Sequence, residues 1–298
     1  MSGGGAKGLA HVGILKAIDS AGLKVDYITG TSMGSIIGAM YAAGYSGKQI
    51  EEINKDIDWN IMLSGKPQYK NVSMEERRDY NNYAIEVPMK NFKPAITTGM
   101  VESEEIYIYF NKIFFPYYEN KDFTKFSIPF KCIATDLATG DAIVLDSGEV
   151  VKAIRASMAI PGVFESVTYG DKKYVDGGII RNFPVTDCKK MGADYIIGVN
   201  LFPGLFKADE LNNAMDVMYQ ITQYRDAADL AKEKKLCNLL IEPPLGEYSA
   251  GSFSSSKEIE AIGREVGKLY YPYFKKLADS INALQPIVYE PELRDKGE

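Results

Sequence analysis

Short runs of apolar residues alternate with longer stretches of helical periodicity along most of this chain. Uninterrupted apolar runs are typical of strands buried on both faces of a sheet, whereas apolar positions three and four apart are typical of helices. The predicted strands cover residues 25–28, 129–134, 142–145, 195–199 and 238–241. The predicted helices cover residues 9–21, 36–43, 149–157, 211–235 and 257–284.

This alternation predicts an α/β fold with a mostly parallel central sheet flanked by helices, because parallel strands are joined by crossover helices that cover both faces. Residues 167–169 and 173–175 flank the dipeptide Gly170-Asp171 and predict a small hairpin. Residues 246–256 are rich in glycine and serine and predict an exposed loop, and the charged end at 291–298 predicts a frayed terminus. The 298 residues contain no internal repeat and are interpreted as a single domain.

The composition argues against several classes of protein. Lys and Arg number 34 against 40 Asp and Glu, a net charge of −6, so nucleic acid is not an expected partner. No apolar run reaches the roughly 18 residues of a membrane-spanning helix, and no signal-peptide pattern follows the first residue. We expect a cytoplasmic or peripheral membrane location for the chain as it stands, and a secreted or outer-membrane-associated location if the true N-terminus is missing.

Cysteine and histidine usage narrows the chemistry further. The cysteines Cys132, Cys188 and Cys237 are odd in number and widely spaced, which favours a reduced compartment and does not match a zinc site. The single histidine, His11, excludes a zinc site built on several histidines and a Ser-His-Asp triad in which the histidine follows the acid. It shares a predicted helix face with Leu15 and is interpreted as a hydrogen-bonded core residue. No metal-binding loop is visible, so neither a metal nor a cofactor is expected.

A glycine loop from Gly3 to Gly8 matches G-x-G-x-x-G and opens directly onto a predicted helix. A dinucleotide site would need a strand before the loop and an acidic residue about 20 positions later. Asp26 lies 18 residues beyond Gly8, but only two residues precede the loop, and Asp26 begins a predicted strand instead of following one. The alternative use is an oxyanion hole, in which glycine amides at a helix start approach a reacting carbonyl group. The third hypothesis is that the glycine-rich start has no function.

The second motif, Gly30-Thr-Ser-Met-Gly34, matches G-x-S-x-G and places Ser32 between a predicted strand and a predicted helix. A strand–turn–helix of this kind is a nucleophile elbow, because the sharp turn exposes the serine hydroxyl at the edge of the sheet. Gly34, Gly38 and Ala42 give the helix a slim face for close packing. The alternative is an ordinary turn in which Ser32 caps the helix.

The third motif is Asp176-Gly177-Gly178, which follows a predicted strand and opens a tight turn. This position puts Asp176 at the tip of the sheet. The alternative is a turn residue whose carboxylate binds its own backbone. An aspartate, with a reference pKa of about 3.9, is a poor base in water, but loss of water raises its pKa and lets it accept a hydroxyl proton.

These three motifs, in this order, resemble the patatin-like phospholipases, and the chain looks most similar to the bacterial members. Residues 134–137, 155–164 and 182–185 support the resemblance, which covers about residues 3 to 200. The resemblance implies a catalytic core at 1–200 and a helical and strand-containing part of the same domain at 201–298. The motif glycines are Gly3, Gly8, Gly30, Gly34, Gly177 and Gly178.

The resemblance implies that Ser32 is the nucleophile, that Asp176 is its general base without a histidine, and that the amides of Gly4, Gly5 and Ala6 form the oxyanion hole. Its implied activity is hydrolysis of phospholipid or other acyl-ester substrates in lipid degradation, with transient contact with a membrane surface. A catalytically impaired lipid-binding relative, a transacylase and a dinucleotide-binding protein remain the alternatives. An oligomeric state is not predicted.

Two features bear on these expectations. Residues 107–118 contain seven aromatic side chains, for which we expect a face near the mouth of the site, with core packing as the alternative. The chain also departs from the family, which has a strand before the glycine loop and often has arginine where this chain has Lys7.

Overall fold

The fold is described from a computed structural model of the chain. The residues that it describes are 1–62, 73–78, 89–90, 93–94, 99–101, 104–202, 204–205, 207–208 and 214–284.

Within these residues helices and strands alternate along the chain. The helices are α1 (Ala10–Ser20), α2 (Met33–Ala42), α3 (Gly47–Lys55), α4 (Trp59–Met62), α5 (Glu104–Phe114), α6 (Val150–Ser157), α7 (Val185–Lys190), α8 (Ala214–Lys235) and α9 (Ser256–Leu284). The strands are β1 (Ile28–Thr31), β2 (Met89–Lys90), β3 (Lys93–Pro94), β4 (Gly99–Val101), β5 (Phe130–Asp136), β6 (Ala142–Leu145), β7 (Gly162–Phe164), β8 (Val167–Tyr169), β9 (Lys172–Asp176), β10 (Ile197–Val199) and β11 (Leu239–Ile241).

Strand β5 is the centre of the main sheet. Cys132 pairs with both β1 and β6, so these two strands lie on opposite edges of β5. Ala134 pairs with both β6 and β9, which puts β9 on the same edge as β1. β1 therefore occupies the first half of that edge and β9 the second half, and β8 adds to the outside of β9.

The sheet is mixed and not mostly parallel, which corrects the sequence-based expectation while the α/β class is confirmed. β1 runs parallel to β5, but β6 and β9 run antiparallel to it. β8 and β9 form an antiparallel pair, so the predicted hairpin is confirmed. The connections at residues 137–141 and 170–171 are too short for the crossover that a parallel pair needs.

Residues 1–3 join the main sheet to the pair formed by β10 and β11. The amino group of Met1 donates to the carbonyl of Thr29 at 2.8 Å, and the amide of Thr31 donates to the carbonyl of Met1 at 3.3 Å. On the other side, the amide of Ser2 donates to the carbonyl of Val199 at 3.0 Å. The glycine loop therefore leaves from an extended segment held between β1 and β10.

The structure moves the first strand relative to its predicted position. β1 pairs with residues 130–133 through the glycine and threonine that precede Ser32, so it lies at Ile28–Thr31 and not at 25–28. α2 begins at Met33, directly after Ser32. The other predicted strands and helices are present with small shifts at their ends. The predicted helix start at 211–213 and the predicted frayed end at 291–298 lie outside the described residues.

The long helix α9 covers α1 through a close backbone contact. A β carbon on Gly13 would lie 2.2 Å from the amide nitrogen of Arg264, and one on Gly263 would lie 2.3 Å from the carbonyl oxygen of Ala10. The two helices thus pack with almost no side chain between them at this point. This contact holds residues near the C-terminal end of the described chain against the helix that follows the glycine loop. In the described part of the chain, no helix combines the length and hydropathy needed to cross a membrane.

A cavity of about 690 Å³ lies between the start of β1 and the start of β10. Met1 lines it, and most of the other lining residues are apolar. They include Ile14, Ile18, Val25, Ile28, Val185, Ile196, Ile197, Val199 and Leu277.

Candidate active site

Ser32 and Asp176 meet where β1 and β9 end against each other. Thr31 lies opposite Ile133, and Asp176 lies opposite Ala134, so the two strands reach neighbouring positions of β5 from opposite directions. The Ser32 hydroxyl donates a hydrogen bond of 2.8 Å to Oδ2 of Asp176, and both residues are only 6% exposed. Two residues predicted from motifs 144 positions apart are thus in direct contact.

The backbone of Ser32 has the strained geometry of a nucleophile elbow. Its φ of 53° makes it the one non-glycine residue with positive φ in the described part of the chain. Its amide donates to Oγ of Ser157 at 3.0 Å, and its carbonyl accepts from the amides of Ser35 and Ile36 at 2.9 and 3.3 Å. The Ser32 side chain makes no capping bond to α2, so the interpretation as an ordinary helix cap is wrong.

The motif glycines around Ser32 allow backbone segments to touch. A β carbon on Gly30 would lie 2.4 Å from the carbonyl oxygen of Gly34, and one on Gly34 would lie 2.5 Å from that of Ser2. A β carbon on Gly8 would overlap the side chain of Met33 at 2.1 Å. The glycine pattern therefore reflects close packing of the elbow against the N-terminal segment.

The two carboxylate oxygens of Asp176 have separate partners. Oδ1 accepts the amide of Gly178 at 2.6 Å, and Oδ2 accepts the Ser32 hydroxyl. Burial raises the pKa of Asp176 to about 6, and the hydrogen bonds from Gly178 and Ser32 oppose that rise only in part. Oδ1 thus fits the alternative, a turn residue whose carboxylate binds its own backbone. Oδ2 faces Ser32 instead. At neutral pH the group is a carboxylate of increased basicity.

The glycine loop lies directly against Ser32. A β carbon on Gly3 would lie 2.9 Å from the β carbon of Ser32. The amide of Gly3 donates to the carbonyl of Asn182 at 3.1 Å. The amides of Gly4 and Gly5 have no acceptor among the described residues, so they are available to a ligand.

The structure corrects the expectation for Ala6. Its amide donates to the carbonyl of Ala250 at 2.8 Å, so this N–H is already occupied. Gly5 has a φ of 54°, and a β carbon there would lie 2.2 Å from the same carbonyl oxygen. The predicted loop at 246–256 therefore supports the glycine loop from outside and is half-buried there.

Two residues that support the site were not singled out by the sequence analysis. Ser157 binds the amide of Ser32, and the carbonyl of Asn182 accepts the amide of Gly3. A β carbon on Gly178 would lie 2.9 Å from the side-chain oxygen of Asn182. Both lie in segments that carried the family resemblance, which is the one signal that could have found them. Neither segment has a local pattern that indicates its contact.

His11 lies outside the dyad and supports the glycine loop. Its ring is fully buried, and Nε2 lies 2.9 Å from the carbonyl oxygen of Ser2, so this nitrogen carries the proton and donates. Burial lowers the pKa of His11 to about 3. The interpretation as a hydrogen-bonded core histidine is confirmed.

The aromatic segment at 107–118 contributes buried rings to the core. The Tyr117 hydroxyl donates to the carbonyl of Ala43 at the far end of α2, about 15 Å along the helix from Ser32. The exposed Phe115 lies at that end, while Phe110 and Phe114 are buried in the core. Core packing, the alternative, is therefore the confirmed interpretation for the buried rings, and residues 114–118 lie away from the mouth of the site.

The structure also disfavours a dinucleotide site at the glycine loop. Asp26 lies before the start of β1, whereas the loop lies beside the end of this strand. An acidic residue that binds a ribose has to follow a strand on the side of the loop. Among the residues that the structure describes, no group of three or more His, Cys, Asp and Glu side chains could hold a metal ion.

A buried serine on a strained strand–helix turn, in contact with a carboxylate, is typical of hydrolases with an activated serine. Residues 1–189 match the model of a family described as patatin-like phospholipase, and the chain belongs to this family. The predicted fold family is thereby confirmed, while the predicted enzyme class stays a prediction. The boundary at residue 200 stays a prediction.

The curated relatives include fungal lysophospholipases. Lysophospholipase NTE1 of Debaryomyces hansenii is 25% identical over 288 residues, which cover 88% of this chain and 17% of the relative. Lysophospholipase nte1 of Aspergillus fumigatus is 27% identical over 301 residues, which cover 92% and 18%. This chain thus spans less than a fifth of the length of these relatives. The resemblance to bacterial members is not confirmed by them and stays a prediction.

Solved structures give more distant matches. VipD from Legionella pneumophila has a TM-score of 0.47 at 15% identity, over 94% of this chain and 66% of that protein. The type III effector ExoU has a TM-score of 0.44 at 12% identity, over 92% of this chain and 52% of that protein.

The variant Asp176→Asn is expected to remove a pH-dependent loss of stability. Because the pKa is raised from 3.8 to about 6, the folded state holds this proton more tightly than the unfolded state. The protonated carboxyl group therefore adds on the order of 3 kcal/mol to the free energy of unfolding, relative to the ionised group. This contribution is full below about pH 4 and is lost as the pH rises through about 6. Urea unfolding of both proteins between about pH 4 and 8 measures the difference. A difference that does not change with pH would contradict a buried carboxyl group.

The variant Gly5→Ala is expected to lower ester hydrolysis at least about tenfold, because its β carbon would push the loop away from Ala250. Gly22→Ala is the matched control, since Gly22 also has positive φ, 70°, but has open space around it. The control should lose about 1 kcal/mol of stability and keep its activity. Steady-state kinetics and thermal unfolding of both variants check this. Equal activity in the two variants would show that the position of the loop does not matter.

Proposed function

We propose that this chain is a lipid acyl hydrolase of the phospholipase or lysophospholipase type, with Ser32 as nucleophile and Asp176 as general base. The observation that carries the proposal is the 2.8 Å hydrogen bond from the Ser32 hydroxyl to Oδ2 of Asp176 inside a buried site. Family membership supports an acyl ester as substrate. The similarity to fungal lysophospholipases favours lipids with a single acyl chain as the first substrates to test.

The reaction proceeds through an acyl-enzyme. Oγ of Ser32 attacks the carbonyl carbon of the ester while its proton moves to Oδ2 of Asp176. The negative charge on the former carbonyl oxygen is held by the amides of Gly4 and Gly5. The tetrahedral intermediate then breaks its bond to the leaving alcohol, which takes the proton from Asp176. Water then attacks the acyl-serine by the same steps. The fatty acid is released, and the Ser32 hydroxyl is restored.

The basicity of Asp176 explains how the reaction proceeds without a histidine. An aspartate in water would be a weak base, but burial raises the pKa of Asp176 to about 6. A base with a pKa near the working pH combines the ionised form with useful proton affinity. Substrate binding removes further water and raises this pKa again. His11, bound to the carbonyl of Ser2, takes no part.

A fluorophosphonate is expected to add once to the wild-type protein, at Ser32, as measured by intact mass and peptide mapping. Ser32→Ala should lose the adduct, and Asp176→Asn should slow its formation at least about a hundredfold. Ser35→Ala, a second buried serine three positions away, is the matched control and should react like the wild type. The wild-type rate should rise with pH around a midpoint near 6, because the carboxylate form accepts the proton.

Hydrolysis of lysophosphatidylcholine and phosphatidylcholine, followed by fatty-acid release, tests the substrate class. Transfer of the acyl group to an added alcohol would indicate a transacylase, and lipid binding without release would indicate an impaired relative. A folded wild-type protein that forms no adduct and releases no fatty acid would overturn the proposal.

A further inference from the structure

The segment from Ser157 to Ala159 contacts the backbone of both members of the dyad. Oγ of Ser157 accepts the amide of Ser32 at 3.0 Å, and the carbonyl of Ala159 accepts the amide of Asp176 at 2.9 Å. Ser157 is the last residue of α6 and is fully buried, and Ala159 is 2% exposed. One short segment therefore holds Ser32 and Asp176 from the same side.

The amide of Ser32 needs this partner because regular secondary structure supplies none. β1 ends at Thr31, α2 begins at Met33, and the turn between them has positive φ. A buried amide without an acceptor costs about 1–3 kcal/mol. The hydroxyl of Ser157 supplies the acceptor and thereby stabilises the strained conformation of the elbow.

We propose that Ser157 is a positioning residue for the nucleophile, an inference that rests on the proposed function of the dyad. Its bond fixes the amide of Ser32, and the backbone conformation at Ser32 sets the direction of the Oγ atom. The neighbouring bond from Asp176 to Ala159 fixes the base relative to the same segment. Loss of the Ser157 hydroxyl frees the turn to relax, which lengthens the contact between Ser32 and Asp176.

Ser35 offers a matched comparison because it has the same buried hydroxyl but a redundant bond. Its hydroxyl donates to the carbonyl of Ser32 at 2.6 Å. That carbonyl also accepts the amides of Ser35 and Ile36, so removal of the hydroxyl leaves no group of Ser32 unsatisfied. Ser157→Ala and Ser35→Ala thus make the same chemical change at the amide and at the carbonyl of the same residue, Ser32.

The experiment compares Ser157→Ala, Ser157→Cys and Ser35→Ala with the wild type. Ser157→Ala is expected to lower kcat and the fluorophosphonate rate about tenfold to a hundredfold with KM unchanged. Ser157→Cys, with a weaker acceptor of similar shape, should fall in between, and Ser35→Ala should stay within about twofold. The pH midpoint of labelling should stay near 6 in Ser35→Ala and rise in Ser157→Ala, because the hydrogen bond from Ser32 lowers the pKa of Asp176 and the relaxed turn weakens that bond.

Amide exchange of Ser32 gives a readout that does not depend on catalysis. Exchange at this amide should be faster in Ser157→Ala and unchanged in Ser35→Ala. Equal labelling rates and equal exchange in Ser157→Ala and wild type would overturn the inference while the function stands. Faster exchange in Ser157→Ala, combined with no labelling of the wild type, would establish the contact between Ser157 and Ser32. The same result would overturn the proposed function and, with it, the positioning role. A lowered pH midpoint in Ser157→Ala would also overturn the role, since a weaker bond from Ser32 to Asp176 raises the pKa of the carboxyl group.

Discussion

The backbone ladder of β5 is the constraint on which the site depends. It holds β1 along the first half of one edge and β9 along the second half, so two strands of opposite direction end against each other. Ser32 directly follows β1, and Asp176 is the last residue of β9. Their contact is a consequence of this register. A slip of one residue in either pairing would turn one of the two side chains to the opposite face of the sheet. The site is therefore assembled mainly by backbone hydrogen bonds of its neighbours.

Burial gives the site its chemistry and also makes it unfavourable for folding. Removal of water raises the pKa of Asp176 and makes it a better base, and the same change destabilises the ionised folded protein. The positive φ of Ser32 is a second local cost. Compensation comes from the carboxylate contacts to Gly178 and Ser32 and from the packed core around α1, α2 and β5. The features on which the proposed reaction depends therefore lower the stability of the fold, and the surrounding contacts offset that cost.

The sequence predicted what is local and missed what depends on distant partners. The turns at Ser32 and Asp176 have glycine patterns that indicate them directly, and both were found. The antiparallel pairing of β6 with β5 was missed, although Gly140-Asp141 is a turn signal that could have indicated it. No local pattern shows that Ala6 binds the carbonyl of Ala250, because the two residues lie on distant parts of the chain.

The glycine loop is held at several points, and this anchoring leaves its central amides open. His11 binds the carbonyl of Ser2, Asn182 binds the amide of Gly3, and Ala250 binds the amide of Ala6. The loop between these anchors cannot turn its free amides toward other acceptors without breaking one of them. Burial lowers the pKa of His11 to about 3, so this imidazole stays neutral and donates its bond throughout the range in which Asp176 titrates. The response of the site to pH therefore comes from the carboxyl group, while the loop keeps one conformation.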